Sequence, residues 1–389
     1  MDELLTQENR DYRQKARDFA EKYVRPIAAK YDRLQEYPWE YMEALRKEKL
    51  TGVWIPREYS GHGSGLLNLC IVAEEISCAC GGMGIAYAVN ALGSFPIILS
   101  GSEEQKEKWL RPVATGEKLI AFGLSEIEAG SDVGSMKTTA IRDGDHYVIN
   151  GVKKWNTNGG IAELYTVFAA TDPERGSRGI SAIVVEKGTP GFKIGKIEDK
   201  MGIRCVPVVE LEFDNCRVPV KNLLGDKEGL GFKQAMQTLE LARPGVAAQA
   251  VGLAQGALDL AAQYASERVQ FGQPIISFQA INFMLADMAT QTEAARQLVY
   301  SVARAADQGI KNLGKYSAMA KVFATDTAMK VTTDAVQIYG GNGYMKDYPI
   351  EKYMRDAKIT QIYEGTNQIQ RLVIGRTITR ETASKKKEE

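Results

Sequence analysis

The apolar residues of this chain change their spacing twice, and no single kind of regular element accommodates both spacings. Up to about residue 120 they recur every three or four positions, then they alternate, and from about Gly229 the longer period returns. A period near 3.6 marks one face of a helix, and a period of 2 marks one face of a strand. The chain is therefore expected to be α+β: an N-terminal helical domain over 1–120, a middle β domain over 121–228 and a C-terminal helical bundle over 229–389. A length of 389 residues exceeds what one core usually organises.

Within the first part, Leu4, Leu5, Tyr12, Ala16, Phe19, Ala20 and Tyr23 form a helical stripe that Pro26 should interrupt. Tyr41 to Leu50 and Leu66 to Cys80 are further helices, separated by the turn Gly61-His62-Gly63-Ser64-Gly65. That turn lacks both a preceding strand and the GxGxxG pattern of a dinucleotide loop. Ser102, followed three residues later by Gln105, is a helix N-cap, and Pro112 and Gly116 close the region.

In the middle part, His146 to Ile149 runs into Asn150-Gly151, a hairpin signal. Tyr165–Ala170, Ile180–Val185 and the alternating Val209, Leu211 and Phe213 follow as strands. Without helical crossovers between them, antiparallel pairing in a barrel or two packed sheets is expected, and not a Rossmann sheet. Val246–Tyr264, Gln279–Ala306 and Tyr316–Tyr339 predict an antiparallel bundle, Lys352–Thr360 a further helix, and the charged Ser384–Glu389 a disordered tail.

Lys plus Arg and Asp plus Glu each total 49, a balance that disfavours a nucleic-acid or basic membrane-surface protein. Five scattered cysteines form no CxxC pair; Cys78 and Cys80 fit buried small apolar positions better than a metal site. Two histidines leave little material for a His-based metal centre or a Ser-His-Asp triad, and no metal is expected. The acidic-polar start resembles neither a secretory nor a transit signal, and no apolar run approaches membrane-span length. The expected location is bacterial cytoplasm, or the mitochondrial matrix for a processed chain.

The chemistry-bearing stretch is Gln361-Ile362-Tyr363-Glu364-Gly365-Thr366-Asn367-Gln368-Ile369-Gln370-Arg371. Glu364 falls where the helical period breaks, with Gly365 to turn the chain and Thr366 or Asn367 to cap the next apolar run. Ile362, Tyr363 and Ile369 would partly desolvate its carboxylate, which raises the pKa and suits a base beside a carbonyl. By itself, a Glu before a Gly is more often an exposed helix end than a base.

Other segments narrow this. Leu124-Ser125-Glu126-Ile127-Glu128-Ala129-Gly130-Ser131-Asp132, Lys154-Trp155-Asn156-Thr157-Asn158-Gly159, Arg243-Pro244 and Glu267-Arg268-x-x-Phe271-Gly272 precede Gln337-Ile338-Tyr339-Gly340-Gly341-Asn342-Gly343-Tyr344, Arg355-Asp356-Ala357-Lys358 and Ile362-Tyr363-Glu364-Gly365-Thr366. In this order the chain resembles the acyl-CoA dehydrogenases over essentially its whole length, most closely the short- and medium-chain members.

The resemblance implies non-covalent FAD between the β domain and the C-terminal bundle. Leu124 and Ser125 would meet the flavin pyrimidine edge, Trp155 would cover the ring, and Thr157 would bond near N5. Arg268, with Gln337, Ile338, Gly340 and Gly341 from a neighbouring subunit, would hold the pyrophosphate and adenosine side; an Arg fork and bare glycine N–H groups suit an anion. Phe122, Gly130, Ser131, Phe271, Phe278, Gln279, Thr366 and Gln368 complete the implied cofactor set. Ser131, Glu240, Arg243, Tyr363 and Gly365 are implied for the CoA ester. Lys153 and Lys154 are open between attracting CoA and blunting a strand edge.

The implied reaction converts an acyl-CoA to the trans-2-enoyl-CoA, Glu364 taking the α-proton while the β-hydride passes to flavin N5. The thioester carbonyl would accept bonds from the flavin ribityl 2′-hydroxyl and the Glu364 N–H. Relatives of the isovaleryl and long-chain types carry the base immediately before the Arg, where this chain has Ala242. Two departures stand out: the usual Thr-Glu-Pro is Ser125-Glu126-Ile127, and Asn156 follows Trp155, adding polarity beside the flavin. Ala86, Ala88, Val89, Asn90, Ala91, Leu92 and Phe95 are expected near the acyl floor, with no Arg among them for a dicarboxylic substrate. Electron-transferring flavoprotein as partner and a homotetramer are likewise implied. Alternatives are an oxidase-like enzyme, disfavoured by a chain too short for a further C-terminal domain, and a non-catalytic or electron-bifurcating-complex subunit.

Overall fold

The computed structural model describes residues 2–388, with side chains for 3–384. Thr6 caps α1 (Gln7–Phe19) in a reciprocal capping box with Asn9. Pro26 does not interrupt the stripe as expected. The chain passes through a π-helical stretch, Ala20–Val24, into α2 (Arg25–Leu34), where Pro26 occupies the first turn and its missing N–H matters little. Next come α3 (Trp39–Lys47), α4 (Gly65–Ala79), α5 (Gly81–Ser100) and α6 (Glu103–Ala114). Ser102 and Gln105 form the expected capping box, while Pro112 lies inside α6 and not at its end. At 20 residues and mean hydropathy 1.5, α5 is long and apolar enough to cross a membrane, contrary to the sequence expectation. It is apolar all round because neighbours enclose it: 78% of that apolar stretch is buried.

The middle part holds β1 (Ile120–Gly123), β2 (Thr139–Asp143), β3 (His146–Thr157), β4 (Leu164–Ala170), β5 (Ile180–Glu186), β6 (Phe192–Ile197) and β7 (Val208–Pro219). One sheet runs β1-β4-β2-β3-β7-β6, with β5 along β4. Pairing is mainly antiparallel, as expected, and one expectation fails outright. Asn150-Gly151 is no hairpin: β3 runs straight through it, with a bulge between Ile149 and Gly151, and the β2–β3 reversal is at Gly144-Asp145. Gly151 takes φ 140°, and a Cβ there would lie 2.6 Å from Thr138 Oγ1. Nor is pairing wholly antiparallel. β1 and β4 pair in parallel, as do Thr139 and Ala170, because a whole hairpin separates β1 from β4 and lets the chain return in the same direction.

The C-terminal part is α7 (Gly231–Glu267), the short hairpin of β8 (Val269–Gln270) and β9 (Gln273–Pro274), then α8 (Gln279–Asp307), α9 (Gly314–Tyr339), α10 (Ile350–Thr360) and α11 (Asn367–Glu388). α7 starts 15 residues before the expected Val246 and continues through Pro244. Gly252 and Gly256 bring it against the α4 backbone: a Cβ at either would lie 2.2 Å from a carbonyl oxygen, of Glu74 and Cys78 respectively. α11 stays helical to Glu388 where a disordered tail was expected; Glu389 lies outside the described residues. All five cysteines are free thiols, and Cys80 is buried as a small apolar residue would be.

Candidate active site

A cavity of about 970 Å³ opens where the sheet, α5, α7 and the α10–α11 turn meet. Glu364 reaches it from that turn. Ile359 O accepts from the N–H groups of Ile362 and Tyr363, at 2.8 and 3.0 Å, ending α10. Glu364 and Gly365 then take φ 50° and 91°, left-handed geometry that costs a non-glycine residue about 1–3 kcal/mol. Thr366 caps α11 by accepting from the Ile369 N–H at 3.3 Å.

Side chains from α9 hold the turn. Lys321 Nζ donates to Gly365 O at 2.9 Å and to Asn367 Oδ1 at 2.8 Å. Asp326 Oδ1 accepts from Gln361 Nε2 and Asn367 Nδ2 at 2.6 and 2.7 Å, and Asp326 Oδ2 from Arg371 at 2.6 Å. Asn367 therefore joins this network, and capping falls to Thr366. Gln370 Nε2 donates to Gly365 O at 2.8 Å. The Glu364 carboxylate is left free, its Oε2 buried with no hydrogen-bond partner. Burial pushes its pKa up to about 7 despite the opposing charges of Lys321 and Arg243.

Arg243 enters from α7, buried, with its Nε unpartnered. Burial lowers its pKa, while Glu364 and Glu240 raise it. Tyr363 donates to Gln249 Oε1, and Gln249 Nε2 donates to Gly81 O at 2.8 Å, joining the turn to α7 and α5.

From the sheet side, Phe122, Leu124, Ser125, Gly130, Ser131, Trp155 and Thr157 line the same cavity, as do Arg243, Tyr363, Glu364, Gly365 and Thr366. The Leu124–Ser125 segment is held through Glu126, whose carboxylate accepts from the Lys137 and Thr138 N–H groups at 2.6 and 3.0 Å and from Lys153 Nζ at 2.8 Å. Lys153 is thus neither a strand-edge lysine nor a free charge: β3 lies between β2 and β7, and the side chain is wholly buried. Lys154 Nζ pairs with Glu198 at 2.6 Å and with Glu210, away from any edge role. Trp155 sits on the second β3 bulge with φ 59°, half exposed and lining the cavity.

Some expectations move. Asn156 does not border the cavity: it is buried and donates to Val209 O at 3.0 Å within the sheet. Of the residues expected at the acyl floor, Val89 and Leu92 line the cavity, joined by Ile85 one turn earlier. Ala86, Ala88, Asn90, Ala91 and Phe95 face other neighbours, with Asn90 Oδ1 accepting from the Ile120 N–H at 3.1 Å. Glu240 is outside as well, close against Gly314 at the start of α9.

A second group stands apart from the cavity: Arg268, Phe271, Phe278, Gln279, Gln337, Ile338, Gly340, Gly341 and Gln368. Ile338 is buried, but Arg268, Gln337, Gln368 and both glycines are exposed, and Phe271 is 95% exposed against the edge of Phe278. Sequence reading missed Lys321, Asp326 and the Glu126–Lys153 pair. Lys321 had a signal: a lysine between Ala318, Ala320, Ala324 and Ala328 interrupts a small-residue helix face that is otherwise buried.

Comparison with known proteins agrees with this architecture. The acyl-CoA dehydrogenase N-terminal, middle and C-terminal domain models match residues 6–117, 121–216 and 229–379. A probable acyl-CoA dehydrogenase of Mycobacterium tuberculosis is 50% identical over 376 residues, 97% of this chain and 96% of its own. Butyryl-CoA dehydrogenase from Megasphaera elsdenii superposes with a TM-score of 0.94 at 46% identity, covering 97% of this chain and 100% of that one. A chain solved in work on the electron transferring flavoprotein of Acidaminococcus fermentans and flavin-based electron bifurcation gives 0.95 at 49% identity, covering 98% and 100%. Fold and relatives agree: the chain belongs to the acyl-CoA dehydrogenase family and is an oxidoreductase.

Proposed function

We propose that this enzyme binds FAD and desaturates a short, uncharged acyl-CoA thioester between Cα and Cβ, with Glu364 as the base. The reading takes 1–120, 121–228 and 229–389 as the three domains that build the cavity. The observation that carries it is an unpartnered, raised-pKa carboxylate opposite a hydroxyl-bearing sheet edge in one cavity.

The cavity suits a flavin. Leu124, Phe122 and Trp155 offer an apolar face, while Ser125, Ser131, Thr157 and Thr366 offer hydroxyls, matching a ring that is apolar in plane and polar at one edge. A Cβ at Gly130 would meet nothing within 4 Å, so the loop leaves room there. When bound, FAD supplies the two-electron acceptor for the hydrogen that leaves Cβ.

The chain's own residues do the rest. Ile85, Val89 and Leu92 give the acyl group an apolar seat without a cation for a second carboxylate. Glu364 takes the α-proton, and its N–H donates to the thioester oxygen as negative charge develops there, an effect worth roughly 3–4 kcal/mol per donor. Arg243 holds the CoA portion at the mouth. Arg268, Phe271, Phe278, Gln279, Gln337, Ile338, Gly340, Gly341 and Gln368, exposed for the most part on one chain, serve the distal half of the cofactor across a homotetramer contact. Electron-transferring flavoprotein takes the electrons onward, in keeping with the similarity to the Acidaminococcus chain.

Anaerobic titration of the holoenzyme with acyl-CoA esters tests this. Butyryl-CoA or a neighbour in length should bleach the flavin band, and Glu364→Gln should stay yellow and unbleached. A wild-type flavin that no acyl-CoA reduces, or an active Glu364→Gln, overturns the reading.

A further inference from the structure

Glu364 carries two burdens: a left-handed backbone at a non-glycine residue, and a carboxylate with one oxygen buried and unpartnered. One side chain answers both. Lys321 projects from α9, fully buried, and directs its hydrogen bonds to Gly365 O and Asn367 Oδ1, on the residues one and three positions beyond Glu364. A buried ammonium beside main-chain acceptors is costly unless a charge of opposite sign lies near. No carboxylate hydrogen-bonds Lys321 Nζ among the described residues; the nearby negative charges acting on it are Glu364 and Asp326.

We propose that Lys321 is the positioning residue of the base: its ammonium clamps the Glu364–Gly365 turn and supplies the positive charge that lets Glu364 ionise with one carboxylate oxygen buried. This rests on Glu364 being the base. The other groups around the pair are Arg243 and, behind it, Glu240 on α7, Asp326 on α9 and Tyr363 on the turn; Asp356 on α10 acts on Tyr363 and is itself committed to Lys352 and the Ile203 N–H. Asp326 is tied up by Gln361, Asn367 and Arg371, so its charge is largely committed. Arg243 is the remaining cation acting on Glu364; it lines the cavity, and on the proposed function a CoA ester competes for it. The mutual influence is consistent with the geometry: burial lowers Lys321 to about 7 while Glu364 raises it, and burial raises Glu364 while Lys321 is the foremost group lowering it.

The clamp and the charge separate by mutation. Lys321→Gln keeps a donor for Gly365 O but loses the ammonium; Lys321→Met loses both. Gln370→Met removes an uncharged clamp on the same carbonyl. In the holoenzyme, losing the ammonium destabilises the Glu364 carboxylate, so the acid limb of kcat/KM should move to higher pH by about one unit in both Lys321 variants. Activity of Lys321→Gln at pH 7 should fall about fivefold and be nearly restored at pH 9. Gln370→Met should lower kcat at every pH with the limb in place. The infrared band of the protonated Glu364 carboxyl, assigned by its loss in Glu364→Gln, should disappear at correspondingly higher pH in Lys321→Gln.

A Lys321→Gln limb and infrared titration that coincide with wild type overturn the proposal, whatever happens to kcat, and leave Lys321 a structural residue. Retained turnover in Glu364→Gln instead removes the base assignment itself, so the two failures are told apart. Should Lys321→Met not fold, Lys321→Gln decides alone.

Discussion

Lys153 Nζ donates to Glu126 Oε1 at 2.8 Å, and both side chains are buried beneath the loop that carries Leu124 and Ser125. Burial draws Lys153 down to about 8, against the pull of Glu126. Burial also pushes Glu126 upward, yet Lys153 and the two N–H donors together hold it below the usual carboxylate range. The carboxylate is the better-satisfied partner, and the lysine bears the desolvation. Lys153→Met should therefore leave a buried carboxylate short of its cation, at a loss of about 3 kcal/mol. Thermal unfolding and FAD retention would both decline; an unchanged melting temperature would mean that the pair contributes little.

With Glu364 as the proposed base, the pH dependence of kcat/KM should follow its carboxyl. A base works deprotonated, and its pKa lies near 7 and not 4.5. Activity should therefore fall about tenfold per unit as pH drops below about 7, and level off above it. An acid limb at the pH of an ordinary carboxylate would show that the free enzyme hydrates this carboxyl.

Arg243 is buried among the residues that line the cavity, with its Nε unpartnered. Arg243→Ala should raise the Kd for an acyl-CoA by roughly 10–100-fold, the loss of one or two charge-assisted bonds. Fluorescence or spectral titration of the holoenzyme measures it. An unaltered Kd would place the CoA phosphates elsewhere.

Gly252→Ala probes the fold apart from the site. Its Cβ would meet Glu74 O at 2.2 Å and Ser77 Cβ at 2.8 Å, a backbone contact that no rotamer relieves. Separating α7 from α4 should cost about 1–3 kcal/mol, seen as an earlier denaturation midpoint with Glu364 chemistry intact at low temperature. Equal stability would mean the two helices can part with little strain.

Much of this molecule is legible along the chain because its signals are local. Ser102 with Gln105, the alternation at Val209, Leu211 and Phe213, and the break at Glu364 each depend on neighbours within four residues. The expectations that fail depend on distant partners. Asn150-Gly151 has the composition of a hairpin, but β7 pairs along β3 on both sides of it, and Thr138 occupies the space that a side chain at 151 would need. Asn156 sits beside Trp155 in sequence, yet the bulge turns it into the sheet. Lys321 is 43 residues from Glu364, and only the return of α11 along α9 brings the turn over it. The cavity half of the predicted binding set converges, while the half from Arg268 to Gly341 stays away on one chain.

The fastening of the Gln361–Thr366 turn has a consequence for descent. α9 grips the main chain at 365 and the side chains of 361, 367 and 371, but nothing grips the side chain at 364. If Glu364 is the base proposed above, a single codon change there silences proton transfer without loosening a helix. The left-handed backbone admits Gln, Asn or Gly far more readily than valine or isoleucine. Gene duplicates of this architecture can thus inherit the cradle intact and diverge into ligand-holding proteins, one substitution away from the ancestor's chemistry.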